Sequence, residues 1–90
     1  MALKKDITID GNEYLDAYIA IDGLYFEGKT PDENRKVRSV LLAKRRKEDE
    51  YVICHYECNL VYNLSSEKNL WQQAYDAAKL LPELEDSIDV

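Results

Sequence analysis

Two cysteines flank the sole histidine in the run Tyr51-Val-Ile-Cys54-His55-Tyr-Glu-Cys58-Asn-Leu-Val-Tyr62. Thiolates and imidazoles hold metals and attack carbonyls, so any chemistry in this chain would start here. The spacing argues otherwise. From Val52 onward the even positions Cys54, Tyr56, Cys58, Leu60, Tyr62 and Leu64 favour an apolar face, while His55, Glu57, Asn59 and Asn63 fall between them. A period of two predicts a β-strand with one buried side. On a strand, positions four apart are separated by about 13 Å. A disulfide needs Cα atoms within about 7 Å, so Cys54 and Cys58 can neither bridge one another nor share one metal ion. His55 points to the opposite side. Both cysteines read as small buried hydrophobes. A Cys-His-Cys zinc site would require this segment to be helical or looped.

No other constellation replaces it. The three glycines, Gly11, Gly23 and Gly28, open no helix and form no phosphate-cradling loop. There is no His-Glu-x-x-His and no Gly-x-Ser-x-Gly. The acidic pairs Glu83/Glu85 and Asp86/Asp89 fall in a segment that reads as a tail, whereas a hydrolase needs its carboxylates held in a cleft. The expectation is a non-enzymatic protein with no cofactor, no metal and no small-molecule substrate.

The elements follow from patterning. Lys5 to Ile9 reads as a short strand, and Asp10-Gly11 as a hairpin turn needing positive φ. Tyr14 to Phe26 reads as a long strand. Leu15, Ala17, Ile19, Ile21 and Tyr25 take its odd positions, and Tyr14, Tyr18, Leu24 and Phe26 its even ones. Asp22-Gly23 reads as a bulge, because the apolar run resumes at once. Gly28 to Asn34 reads as a polar hairpin loop, although Thr30, Pro31 and Glu33 also fit the start of one helical turn. Val37 to Ala43 is the next strand, Glu48-Asp49-Glu50 a charged loop, and Tyr51 to Leu64 the strand described above.

Periodicity then switches. Asn69 with Gln72 suggests a capping-box variant, and Leu70, Trp71, Ala74, Tyr75, Ala77, Ala78 and Leu81 recur at helical spacing up to Pro82. Trp71 and Leu70 are expected to cover the face carrying Cys54, Tyr56 and Cys58. The predicted architecture is α+β: an antiparallel sheet of three to five strands, open or curled, with one C-terminal helix on it. Residues 1–82 form the domain, and residues 83–90 read as a loose acidic tail.

Size and charge bound the partners. The 90 residues are 46% hydrophobic and 33% charged, which suits one globular domain. No apolar run approaches membrane length, and the start lacks the apolar stretch of a secretory leader. The net charge of −6 hides segregation. Residues 1–34 carry −5, residues 35–47 carry +7 and residues 48–90 carry −8. Neighbouring strands within one molecule can neutralise each other. Alternatively, a basic edge meets an acidic edge of the next copy, head to tail. Nucleic acid is the weakest of the three readings, because the acidic remainder would repel phosphates.

Apolar groups at Tyr14, Tyr18, Leu24 and Phe26 on a second sheet face imply a curled sheet or a partner subunit. The candidate interaction surface is therefore Tyr14, Tyr18, Phe26, Arg35, Arg38, Arg45 and Arg46. The expected mode is self-association, with docking of a different protein as the alternative.

The two ends carry a resemblance. Met1-Ala-Leu-Lys-Lys, a short strand, an Asp-Gly turn and Asp16-Ala-Tyr-Ile-Ala-Ile21 resemble the start of small tail-module proteins of long-tailed bacteriophages and prophages. The close is similar to their ending, a helix of the form Gln-Ala-Tyr-x-x-x-Lys-x-Leu-Pro-Glu running into an acidic Asp-Val terminus. Gln73, Ala74, Tyr75, Lys79, Leu81, Pro82 and Glu83 match that form. The resemblance implies a virion structural or tail-assembly component in multiple copies, assembled in the bacterial cytoplasm with other tail proteins. It brings no active-site residues.

Overall fold

The computed structural model describes residues 1–31 and 34–90. Strands β1 (Leu3–Ile9), β2 (Asn12–Lys29), β3 (Arg35–Lys44), β4 (Val52–Tyr62) and β5 (Ile88–Asp89) build one open antiparallel sheet in the order β4-β3-β2-β1-β5. Helix α1 (Leu70–Ala78) packs on one side of it. That side is called inner here.

The turns follow the residues. Asp10 and Gly11 both have positive φ, 51° and 83°, as a two-residue turn between right-twisted strands requires. At the β2–β3 loop the Thr30 N–H donates to the Asn34 carbonyl and the Asn34 N–H to Thr30 Oγ1, which closes a hairpin. The expected Thr30–Glu33 capping pair involves Glu33, which lies outside the described residues. β2 also runs on through Gly28 and Lys29, which the sequence assigned to the loop.

β2 is irregular at three places. Its register shifts where Asp6 faces Leu15 and Asp16, between Ile21 and Gly23, and between Phe26 and Gly28. The middle one is the bulge expected at Asp22-Gly23. At the first, Asp16 adopts φ 52° and donates its N–H to Asp6 Oδ1 at 2.8 Å. Each bulge adds one residue and therefore exchanges the two faces. The shared second face expected for Tyr14, Tyr18, Leu24 and Phe26 is thereby corrected. Tyr14 lies opposite the core residue Ile7, and Leu24 and Phe26 lie opposite Ser39 and Val37, all inner. Of the four, only Tyr18 is on the outer side, opposite Lys4 and Lys44.

The core lies between the inner face and α1. Leu3, Ala17, Ile19, Leu41 and Ala43 are fully buried, as are Ala74 and Ala78 of the helix. The two alanines let the helix approach closely, and Tyr75 fills the space beside them at 4% exposure. Asn69 caps α1: its side chain accepts the Gln72 N–H and Gln72 Oε1 accepts the Asn69 N–H.

Two further expectations are overturned. Trp71 shares the helical stripe of Ala74, Tyr75 and Ala78 by spacing, but it is 50% exposed. It sits in the first turn, where the helix has not yet reached full cover, so Tyr75 is the anchor instead. Residues 83–90 are acidic but not loose. A 3-10 turn (Pro82–Leu84) buries Leu84 completely, and β5 pairs with Leu3 and Lys4. Leu84 is the apolar plug that draws the chain back, and Ala2 and Val90 exchange two backbone hydrogen bonds.

Candidate interaction surface

The chemistry-bearing run sits on β4 as its alternation predicts. Cys54 lies opposite Ala43 and Cys58 opposite Ser39, both on the inner side, while His55 faces Leu42 on the outer side. Burial raises the Cys58 thiol above its ordinary value. Burial likewise raises Tyr56, with the neighbouring Cys54 thiol adding to the effect. Among the described residues no three His, Cys, Asp or Glu side chains converge.

The seven candidate surface residues separate into two groups. Arg38 and Arg45 are seven positions apart on one strand and its exit, about 23 Å. At one end, Arg45 donates to Asp49 from Nε at 2.5 Å and from Nη2 at 3.1 Å. Its guanidinium lies 4.8 Å from the centroid of the Tyr51 ring. This pairing, together with the Tyr51 N–H, holds the Asp49 carboxyl down at about 2. The Tyr51 hydroxyl raises that of Tyr14. Arg45 and Tyr14 thus serve the β3–β4 turn, and Arg46 is exposed within it.

At the other end, Arg38 lies on the outer face, 4.8 Å from the Tyr25 ring centroid. It pairs with Glu27 at 3.3 Å and Glu57 at 3.1 Å. The Tyr25 ring lies over Gly23: a Cβ there would come within 2.7 Å of the Tyr25 hydroxyl. Arg38 therefore neutralises neighbouring strands within the molecule. Arg35 is exposed beside Lys29 and Tyr62.

Phe26 belongs to a feature that the residue spacing did not show. The molecule measures 44 × 24 × 22 Å. A nine-residue helix is about 13 Å long, so the sheet runs well past it. On the uncovered inner part Phe26 is 61% exposed, and at the same end of the sheet Val61, opposite Lys36 on the outer face, is 50% exposed, with Leu64, just after β4, at 60%. A groove of about 540 Å³ opens there, lined by Glu27, Lys36, Val37, Asn59, Leu60 and Val61. The outer face adds Tyr18, Ala20, Val40 and Leu42, each half-buried, among Lys44, His55 and Glu57. The alternation and helical spacing place Leu60, Leu64 and Trp71 on the buried side, and Val61 falls between the positions of the buried face.

No helix is long and apolar enough to cross a membrane. No family model matches the chain, and comparison with curated proteins and with solved structures returns no match.

Proposed function

We propose that this chain is a non-enzymatic structural component of a phage or prophage tail or baseplate, or of its assembly, acting by self-association. The observation that carries self-association is the exposed apolar surface that the helix leaves on the sheet: Phe26, 61% exposed on the inner side, and Val61, 50% exposed on the outer side, with Leu64 just after β4 at 60%. Apolar groups left exposed on a domain this small favour a protein partner over water. The phage assignment rests on the resemblance of the two chain ends. Its helix residues also have packing roles here: Tyr75 fills the core, and Pro82 opens the turn that buries Leu84. The site of action would be the virion, with assembly in the bacterial cytoplasm.

Two observations test this reading. Light scattering behind size exclusion should give a mass of two or more chains. The neighbouring genes should include a tape-measure or tail-fibre gene. A monomer encoded among unrelated metabolic genes would overturn both halves. A fixed-ratio complex with a different protein, without self-assembly, would replace it with the adaptor reading.

A further inference from the structure

The sheet has one long unguarded edge. β4 is the terminal strand, and among the described residues no backbone hydrogen bond outside the β3–β4 ladder involves Val52–Tyr62. The opposite edge ends in the two-residue strand β5, and β1 beside it carries Lys4 and Lys5. Edge strands are normally protected by lysine, proline or a bulge. The eleven residues of β4 contain no Lys, Arg or Pro, and their one register shift sits at the start, leaving Ile53 as the extra residue. The regular stretch is Cys54–Tyr62.

We propose that β4 pairs with β4 of a second copy, antiparallel about a two-fold axis at Cys58, joining two sheets into one. The proposal rests on the self-association reading above and adds an edge seam, separate from the exposed face around Phe26, which lies two strands away on β2. The register follows from symmetry and charge. Antiparallel partners about such an axis share a face, so each residue meets one of the same parity. Centring on Cys58 uses all nine regular residues. Glu57 then faces Asn59 of the other copy, a carboxylate against an amide donor, and Tyr56 faces Leu60. Shifting the centre to Glu57 would set two carboxylates directly against each other, which is destabilising. Arg38 stands beside both Glu57 and Asn59 on β3, so the outer side of the seam remains charge-balanced.

The test uses a Cys54→Ala/Cys58→Ala background with Glu57→Cys in one preparation and Asn59→Cys in another. In the mixed dimer the two introduced thiols face each other, and the second Glu57–Asn59 pair stays native. Oxidation should cross-link the mixture and neither preparation alone. Cross-linking of one preparation alone, or of none while the protein still sediments as an oligomer, would overturn the seam and leave self-association standing. A monomeric parent protein would overturn both. Independently, Asn59→Asp in the native chain should weaken the dimer roughly tenfold by opposing two carboxylates across each pair. Adding Glu57→Gln should restore it. An unchanged dimer constant for Asn59→Asp contradicts the proposal.

Discussion

The backbone N–H of Ile21 donates to the hydroxyl of Tyr75 at 3.0 Å, tying the middle of β2 to the helix across 54 residues of sequence. Ile21 stands at the second bulge of β2, where the ladder to β3 is interrupted. The helix thus supplies a partner at a position where the sheet is irregular. Burial raises the Tyr75 hydroxyl above its ordinary value although the hydrogen bond from Ile21 acts against that shift.

Tyr75 rather than Trp71 should therefore dominate helix docking. Tyr75→Phe should cost about 1–3 kcal/mol by leaving the Ile21 N–H without its acceptor. Tyr75→Ala should cost about 3–5 kcal/mol. Trp71→Ala should cost clearly less than Tyr75→Ala, because half of Trp71 is already in water. Urea denaturation of the three variants checks the order, and a larger loss for Trp71→Ala would contradict the assigned anchor.

The β3–β4 turn should be acid-sensitive through Asp49. Its carboxyl ordinarily titrates near 3.8 and is held at about 2 by Arg45 and the Tyr51 N–H. A depressed folded value means that the stabilisation is complete above 3.8 and fades as pH falls toward 2. In Asp49→Asn that part of the acid dependence should vanish. A carbon-detected titration of Asp49 by nuclear magnetic resonance reads the midpoint directly, and an ordinary value would refute the pairing.

Gly23 and Tyr25 should behave as one unit. Gly23→Ala places a methyl group where the Tyr25 ring lies and should displace it from Arg38. The expected cost is about 1 kcal/mol, in the range of a cation–π contact together with local repacking. In a Tyr25→Ala background the same change should cost little. Additive losses in this double-mutant cycle would show that the two residues act separately.

What was legible in the sequence follows the regular elements. The alternation of β4, the Asp10-Gly11 turn and the Asn69–Gln72 cap each depend on residues within a few positions of one another. β2 was harder. The Asp22-Gly23 bulge was readable, but the bulges at Asp16 and Gly28 involve aspartate and glycine in backbone conformations that a spacing argument does not weigh. The Asp16 bulge turns Tyr14 inward, whereas Leu24 and Phe26 are turned inward by the Asp22-Gly23 bulge itself, whose reversal of the faces was not carried through to them. Leu84 and Ile88 were too sparse to signal order, because their partners lie near the chain start in β1. The separation of Arg38 from Arg45 follows from strand length, but their acidic partners depend on cross-strand register.

Exposed apolar groups at the far end of the sheet should contribute to assembly and little to folding. Phe26→Ser should leave the melting temperature within a few degrees, because the side chain is 61% exposed. It should weaken association measurably. Parallel melting and light-scattering experiments separate these effects, and a collapse in stability with unchanged association would reverse the assignment.

Sedimentation velocity over a wide concentration series at low salt tests the main proposition most directly: the sheet extends past its helix, and another copy covers the remainder. The expected result is a species of two or more chains whose fraction rises with concentration. A single monomeric boundary at the highest concentration would contradict it.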